Sequence, residues 1–266
     1  MDLLSQQAAV LTASEPQQER EPTVTPRDRE TKPRRKVLIT GAAGHIGRCL
    51  LAGFGGDYDL RAFDRAALDG PWESVAGDLT DLASLLRAMQ GIEVVVHLAA
   101  TRKEAPFVED LVPNNIVGLY NTLEAAREAG VRRVVFASSA QTVAAYPKGD
   151  TLTIDHPPHP SSLYGATKVF GETLGRFYHD RYGLEFVALR IGWFLPPGDE
   201  RLRQGRSIWL SPSDALHLFR AAIEKPDVGF AIVFGTSKTE GERLSRDEAR
   251  EQLGYEPRDD VKEFVL

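Results

Sequence analysis

The chain has 266 residues, and 42% of them are hydrophobic, which is enough for a substantial core. A formal net charge of -6 provides no general basic field, so we predict no nucleic-acid partner and no membrane partner. No apolar run approaches the about 20 residues of a membrane span, and the first ten residues lack the basic start of a secretory signal. Cys49 alone cannot form an internal disulfide. We expect a cytoplasmic protein.

Residues 1–35 differ in composition from the rest of the chain. They are rich in Glu, Gln, Arg and Thr and contain four prolines, so they cannot bury a core. We predict a disordered N-terminal extension over 1–35 and a folded domain over 36–266. The basic cluster Lys32–Lys36 could be a nucleic-acid patch or a targeting signal, but such clusters before a first strand are usually solvated.

From residue 37 onward the hydrophobic pattern alternates between strand and helix. Predicted strands run over 37–40, 57–63, 93–98, 131–138 and 184–191. Predicted helices run over 46–54, 107–129 and 162–182. Another predicted helix is opened by residues 78–81 and runs to about residue 89. This order predicts an α/β fold, a Rossmann-type doubly wound parallel sheet with its ligand site at the carboxyl ends of the strands.

After Ile191 the pattern becomes less regular. We predict a short strand near 207–210, a helix over 213–224 and a strand near 229–234. Only about 75 residues follow Ile191, and we expect them (192–266) to form a small C-terminal substrate lobe.

A glycine-rich turn, Gly41-Ala-Ala-Gly44-His45-Ile46-Gly47, joins the first predicted strand to the first helix. Glycines in this spacing allow a tight turn and close approach to a pyrophosphate, whose charge the helix N-terminus stabilises. Asp64 ends the second strand, where a carboxylate can accept hydrogen bonds from the adenosine ribose, so NAD is favoured over NADP. The alternative for the glycine turn is a turn without a ligand, and the alternative for Asp64 is an ordinary strand-end carboxylate. The alternative for the cofactor is NADP, whose 2′-phosphate Arg65 could accommodate.

Tyr164 and Lys168 are four residues apart on a predicted helix and therefore share a face. A phenol with a pKa of about 10 is a poor base at neutral pH, but a nearby ammonium and an oxidised nicotinamide favour the phenolate. Ser139 follows the predicted strand 131–138 and can hydrogen-bond the reacting oxygen. The alternative is that Tyr164 packs in the core and Lys168 pairs with Glu172.

These residues resemble an extended short-chain dehydrogenase/reductase of the NAD-dependent epimerase/dehydratase type, over roughly 36–260. The matching positions are the glycine turn, Asp64, Asp78-Leu79, His97 to Ala100, Asn115, Ser138-Ser139, Tyr164, Lys168 and Arg190-Ile191-Gly192. The resemblance implies that Asp78 and Leu79 flank the adenine and that Asn115 lies beneath the nicotinamide. It also implies that Leu98, Ala99, Ala100 and Ile191 line the cofactor site, with Tyr164 and Lys168 at its reactive end.

Within that family the chain is most similar to uronate dehydrogenases and other short sugar dehydrogenases. Three stretches carry this similarity: 105–107, 209–214 and 253–260. The chain departs from this similarity after the active-site strand. The pattern of uronate dehydrogenases there resembles Ser-Asn-His, whereas this chain has Ser139-Ala140-Gln141. That Ser-Ala pair is more similar to nucleotide-sugar epimerases.

An anionic sugar would need a cation near the reacting carbon. Arginines suit this role, and the chain offers Arg102 with Lys103 and three arginines in the loop after residue 191. The predicted substrate site comprises Arg102, Ser139, Ala140, Gln141, Tyr164, Gly192 and Arg203. Trp193 and Trp209 either wall this pocket or pack the lobe. No metal site is expected, because His156 and His159 lack a third ligand in suitable spacing.

The sequence thus predicts an NAD-dependent oxidoreductase that oxidises a hydroxyl of a sugar or sugar acid by Tyr/Lys/Ser acid-base catalysis. One alternative is a nucleotide-sugar epimerase or dehydratase that keeps and recycles a tightly bound NAD. Another is a non-catalytic protein that senses NAD(H). Relatives pair through the helices that correspond to 107–129 and 162–182, so the resemblance also implies a homodimer.

Overall fold

A computed structural model describes residues 34–102 and 105–264. Most of the predicted N-terminal extension, residues 1–33, and Lys103 lie outside the described residues. The described residues form one compact unit. The helices of the described residues include none that is long and apolar enough to cross a membrane.

The strands are β1 (Lys36–Thr40), β2 (Asp59–Asp64), β3 (Glu73–Ala76), β4 (Val94–His97), β5 (Arg133–Ser139), β6 (Glu185–Ile191), β7 (Trp193–Phe194), β8 (Trp209–Leu210) and β9 (Phe230–Gly235). The α-helices are α1 (His45–Phe54), α2 (Leu82–Ala88), α3 (Gly118–Glu128), α4 (Leu163–Tyr182), α5 (Leu202–Gly205), α6 (Pro212–Glu224) and α7 (Asp247–Leu253). A π-helix spans Phe107–Val117, and 3-10 turns span Ala140–Val143 and Val261–Glu263.

Seven of the strands form one parallel sheet in the order β3-β2-β1-β4-β5-β6-β9. The order reverses between β1 and β4, the place where doubly wound sheets bind ligands at their carboxyl edge. The predicted Rossmann-type fold is confirmed. Thr40, Asp64, His97, Ser139 and Ile191 end their strands at this edge.

The sheet is covered on both faces, and β4 illustrates why its sequence is continuously apolar. Val94 and Val96 pack in the core cluster on the side of α1 and α6, whereas Val95 packs with residues of α2, α3 and α4. Side chains alternate along a strand, so a strand between two helical layers needs apolar residues at consecutive positions.

Residues 107–129, predicted as one amphipathic helix, form two helices. The π-helix contains Pro113, which has no N–H to donate, and α3 begins only at Gly118. The change of helical register leaves Val108, predicted on the apolar face, 68% exposed. The sequence interpretation also missed β3, a short strand at the sheet edge.

The chain after Ile191 contributes both to the main sheet and to a smaller two-stranded sheet. Strand β9 pairs with β6, while β7 pairs with β8. The Asp214 carboxylate, at the start of α6, accepts hydrogen bonds from the backbone N–H groups of Arg258 (2.8 Å) and Asp259 (3.1 Å). The Ser211 hydroxyl donates to the Asp259 carboxylate. Hydrogen bonds therefore join two of the stretches that carry the resemblance, 209–214 and 253–260.

Candidate active site

The turn between β1 and α1 has no room for side chains. Gly41 has a φ of +69°, and a Cβ on it would lie 2.6 Å from the backbone nitrogen of Ala99. A Cβ on Gly47 would lie 2.5 Å from the carbonyl oxygen of Gly41, to which Gly44 donates a hydrogen bond of 3.0 Å. The glycines thus let β1, α1 and the loop after β4 approach one another closely.

The first turn of α1 faces the carboxyl edge of the sheet. The N–H groups of His45, Ile46 and Gly47 have no acceptor one turn earlier within the helix. This turn carries no acidic residue, and the His45 side chain is exposed. Unpaired N–H groups and the helix dipole together favour an anion such as a phosphate.

Asp64 lies beside the glycine turn at the end of β2. One carboxylate oxygen accepts from the backbone nitrogen of Ala43 at 2.9 Å, and the other from that of Arg65 at 2.8 Å. Each oxygen keeps a second lone pair, so this carboxylate can still accept from a ribose hydroxyl. The two backbone bonds fix its direction relative to the turn.

Asp78 and Leu79 follow β3 at the same edge. The Asp78 carboxylate accepts from the backbone nitrogen and the hydroxyl of Thr80, and these bonds, with the charge of Arg65, hold its pKa below the usual value. Leu79 is buried against Gly118, where a Cβ would lie 2.8 Å from the Leu79 Cβ. Both residues are therefore fixed in place.

Leu98, Ala99 and Ala100 leave β4 half-buried beside the glycine turn. The Thr40 hydroxyl lies 2.9 Å from Nδ1 of His97 and 3.4 Å from the Ala99 nitrogen. Burial, and then the charge of Lys168, lowers the pKa of His97 to about 3, so this imidazole is neutral and serves as a hydrogen-bonding group.

Asn115, in the π-helix, connects three segments instead of pointing into open space. Its Oδ1 accepts from the Thr101 nitrogen at 2.8 Å, and its Nδ2 donates to the Thr101 carbonyl and to the Thr167 hydroxyl, both at 3.0 Å. Asn115 thus ties the loop after β4 to α4, the helix that carries Tyr164.

Tyr164 and Ser139 meet where α4 begins. Gly165 permits this, because a Cβ on it would lie 2.6 Å from the carbonyl oxygen of Gln141. Burial raises the pKa of the Tyr164 phenol to about 12, while a hydrogen bond with Ser139 and the charge of Arg102 act in the opposite direction. The Ser139 hydroxyl also accepts from the Gln141 nitrogen at 3.2 Å.

Lys168 lies one helical turn below Tyr164 and is buried. Its Nζ donates to the Ala137 carbonyl at 2.8 Å and lies 5.5 Å from the centre of the Tyr164 ring. Burial lowers its pKa to about 7, opposed by the charge of Glu172. Glu172, which the alternative interpretation pairs with Lys168, forms its ion pair with Arg190.

The predicted substrate-site residues lie in different surroundings. Ala140 is buried in a small apolar cluster, and Gln141 Oε1 accepts from the Ser162 hydroxyl at 3.5 Å. Gly192 approaches the next layer closely, since a Cβ on it would lie 1.9 Å from the Ile208 carbonyl oxygen. Of these residues, Ser139 and Arg102 are the ones that act on the Tyr164 phenol.

The three arginines of the loop after β7 differ in their partners. Arg201 pairs with Asp199 at 2.6 Å, and Arg206 pairs with Glu240 at 3.0 Å. Arg203 forms no ion pair with the described part of the chain and is exposed. It is therefore the arginine of this loop whose charge is available to a ligand.

Trp193 and Trp209 have different roles in the packing. Trp209 is fully buried and its indole N–H donates to the Leu195 carbonyl at 2.8 Å, so it packs the region around β7 and β8. Trp193 is half-buried over Gly205.

Rings of His156 and His159 pack edge-on against Tyr146, and the described residues contain no cluster suited to a metal ion.

Comparison with known proteins agrees with this geometry. The sequence profile of the NAD dependent epimerase/dehydratase family matches residues 37–210. The chain belongs to this family.

Two relatives from Haloferax volcanii are similar over 86% of this chain. NAD-dependent glucose-6-phosphate dehydrogenase is 38% identical and is covered over 95% of its length. L-arabinose 1-dehydrogenase (NAD(P)(+)) is 36% identical and is covered over 99% of its length. Among solved structures, a mutant of uronate dehydrogenase from Agrobacterium tumefaciens complexed with NAD superposes with a TM-score of 0.80 at 36% identity, covering 86% of this chain and 87% of that one.

As a member of the NAD-dependent epimerase/dehydratase family the protein uses NAD, and its glycine turn fits that cofactor. The fit is seen in the turn itself, where Cβ atoms on Gly41 or Gly47 would overlap with backbone. The unpaired first-turn amides of α1 suit the pyrophosphate, and the fixed Asp64 carboxylate suits a ribose hydroxyl.

Several residues that shape the site carried no assigned role in the sequence interpretation. Thr40 acts through its hydroxyl near the Ala99 nitrogen, and Gly165 acts through close approach to the Gln141 carbonyl oxygen; only the folded chain brings these groups together. Glu172 and Arg190 pair across 18 positions, and helical spacing alone favoured a Lys168 partner for Glu172. The glycine directly after Tyr164 was the available signal for close packing.

Proposed function

We propose that this protein is an NAD-dependent oxidoreductase that oxidises a hydroxyl of a sugar or sugar acid, giving a lactone or a ketone. The observation that carries the proposal is the placement of the Tyr164 phenol beside Ser139, which lowers the phenol pKa, with buried Lys168 one turn below, at the edge that carries the glycine turn. An NAD-sensing protein would need no such proton acceptor.

Each of the three residues has a separate task in this reaction. Ser139 hydrogen-bonds the reacting oxygen and orients it toward Tyr164. The Tyr164 phenolate accepts the hydroxyl proton as the C–H bond breaks, and the Lys168 ammonium favours that phenolate. NAD, when bound, supplies the acceptor for the two electrons that leave with the hydrogen of that bond.

The cofactor would be held along the carboxyl edge of the sheet. The residues proposed to hold it are Gly41, Gly44, His45, Ile46, Gly47, Asp64, Asp78, Leu79, Leu98, Ala99, Ala100, Asn115, Tyr164, Lys168 and Ile191. Of these, Asn115 acts by anchoring the loop after β4 against α4. Tyr164 and Lys168 would hold the reactive end of the cofactor.

The substrate would bind next to Tyr164, beneath the region formed by residues 192–264. Arg102 and Arg203 are proposed to bind its anionic group, a carboxylate or a phosphate. Relatives named for uronate, glucose 6-phosphate and arabinose support a sugar substrate. Ala140 offers no side-chain hydrogen bond there, so Gln141 is the proposed side-chain contact at the positions where the uronate dehydrogenase pattern resembles Asn-His.

A reduction screen tests this function. Purified protein is mixed with NAD or NADP and a panel of uronates, aldoses and sugar phosphates, and absorbance of the reduced cofactor is followed. We expect NADH with an acidic or phosphorylated sugar. NAD that survives extensive dialysis, with turnover of a UDP-sugar and no net NADH, would identify an epimerase instead. NAD binding without any turnover would identify a sensor.

A homodimer is proposed from the surface of α3, α4 and the π-helix. The large exposed hydrophobic side chains of the described residues all lie on these elements: Phe107, Val108, Val117, Tyr120, Leu163, Phe170, Phe177 and Tyr182. An apolar surface of this kind is typical of a contact with another protein. The cytoplasmic location stays a prediction from the sequence.

Phe177→Glu is expected to convert the dimer into single chains, because Phe177 is 53% exposed on this surface and a carboxylate there would be desolvated on pairing. Light scattering at micromolar concentration measures the mass. Lys148→Glu, on an exposed loop, is the control and should keep the dimer mass. A wild-type protein with the mass of one chain would refute the proposal.

A further inference from the structure

Behind the proposed catalytic residues, three buried polar side chains from three elements meet. Glu172 Oε1 accepts from the Ser138 hydroxyl at 2.6 Å and from Arg190 Nε at 2.9 Å, and its Oε2 accepts from Arg190 Nη2 at 2.9 Å. Ser138, Glu172 and Arg190 are 3%, 4% and 2% exposed. The contact between guanidinium and carboxylate is bidentate, which fixes its geometry as well as its distance.

Each member of this cluster is a close neighbour of a proposed site residue. Ser138 directly precedes Ser139, and Arg190 directly precedes Ile191. Glu172 is one helical turn after Lys168 on α4. The cluster therefore joins the carboxyl ends of β5 and β6 to the catalytic helix, and a shift of any member would move a functional group.

Stability alone does not explain a buried ion pair at this position. Well-packed apolar residues of similar volume are often as stabilising, because burying two charges has a large desolvation cost. The pair offers instead a fixed geometry, which holds the Glu172 carboxylate one helical turn from Lys168. The charged and titratable groups around Lys168 are Tyr164 and Glu172 on α4 and His97 on β4, while Arg190 on β6 reaches it through Glu172.

We propose that Glu172, held by Ser138 and Arg190, is a positioning residue that sets the place of Ser139 relative to Lys168 and places a carboxylate one helical turn from the Lys168 side chain. The inference rests on the proposed oxidoreductase function. Arg190 holds both oxygens of the Glu172 carboxylate, and this carboxylate raises the pKa of Lys168, which has no other anion in its described surroundings.

Glu172→Gln tests the inference because it removes the charge and keeps the shape. We expect kcat to fall by about 100-fold with little change in substrate KM, as for a misplacement of catalytic groups by about 1 Å. Without the carboxylate, Lys168 loses its proton at lower pH. Because Lys168 is proposed to hold the cofactor through its ammonium, NAD affinity should fall as Lys168 loses its proton, and in calorimetric titrations of the variant this fall should begin about one pH unit lower than in the wild type.

The pH dependence of stability, measured without cofactor, also reports the effect of the Glu172 carboxylate on Lys168. The pKa of Lys168 is about 7 in the folded protein and about 10.4 in an unfolded chain, so the unfolded state binds more protons between these values. The contribution of Lys168 to stability therefore rises with pH across this window. In Glu172→Gln the rise should begin at lower pH than in the wild type, measured as Tm against pH.

Glu185→Gln is the matched control. Glu185 pairs with buried Arg133 at the opposite, amino edge of the same sheet. Its loss should lower Tm while leaving kcat and both pH profiles unchanged. If Glu172→Gln does not fold, Ser138→Ala, which keeps the ion pair, decides the question: a fall in kcat supports the inference, and a wild-type kcat overturns it.

Wild-type kcat and pH profiles in Glu172→Gln, or losses equal to those of Glu185→Gln, would also overturn it. The proposed function fails separately, when Tyr164→Phe turns over substrate as fast as the wild type.

Discussion

Tyr164→Phe is expected to lower kcat/KM for hydroxyl oxidation by about 1000-fold, within the range that general acid-base catalysis contributes. The substitution removes the phenol oxygen beside Ser139 and leaves the ring beside Lys168. NAD binding should persist with only a small loss, since most proposed cofactor contacts come from the strand ends. Initial rates of NADH formation and calorimetric Kd values for NAD measure the two effects.

The pH dependence of the wild type provides a second readout of Tyr164. Because burial raises the pKa of the phenol to about 12, Tyr164 is mostly protonated at neutral pH before the positively charged cofactor binds. The rate of oxidation should therefore rise with pH, up to tenfold per unit below the pKa of the base in the ternary complex. Tyr164→Phe should lack this rise. A variant with wild-type rates and an unchanged pH profile would show that another group accepts the proton.

Gly47→Ala is expected to weaken NAD binding by about 10- to 100-fold. The new Cβ would lie 2.5 Å from the Gly41 carbonyl oxygen and 2.6 Å from that of Ala42, both of them backbone atoms. Relief requires α1 to move away from the turn, at a cost of about 1–3 kcal/mol, and this takes the first-turn amides away from the pyrophosphate. Calorimetric titration with NAD measures the loss.

Gly56→Ala is the control for that experiment, since no atom lies within 4 Å of the Cβ it would add. It should keep the wild-type Kd for NAD and the wild-type Tm. Equal affinities of Gly47→Ala and wild type would mean that the cofactor does not bind over this turn.

The fold was predictable because its main signals are local and strong. Strand β4 is apolar at consecutive positions. Helix α4 is capped by Ser162, whose hydroxyl accepts from the Gly165 nitrogen at 3.1 Å. The prediction of one long helix over 107–129 was wrong for a local reason as well. The segment that contains Pro113 is a π-helix, which has a different helical register from α3. The edge strand β3 has no buried residue and hence no clear pattern.

The site was only partly predictable, since its pieces depend on contacts distant in sequence. The glycine turn and the Tyr164/Lys168 pair are recognisable from spacing, and their roles stay predictions until the variants are measured. Asn115 contacts Thr167 across 52 positions, and Ser138 contacts Glu172 across 34. No periodicity encodes such pairs, which is why the partner of Glu172 was not found from the sequence.

The contact between Asp214 and the backbone of Arg258 and Asp259 affects how similarity among these proteins is interpreted. Asp214 binds N–H groups, so it constrains the path of the chain at 258 and 259 far more than the side chains there. Shared residues in 209–214 and 253–260 therefore indicate a common way of anchoring the C-terminal region. A classification of sugar dehydrogenases that weighted these stretches would group proteins by architecture and could combine enzymes that act on different sugars.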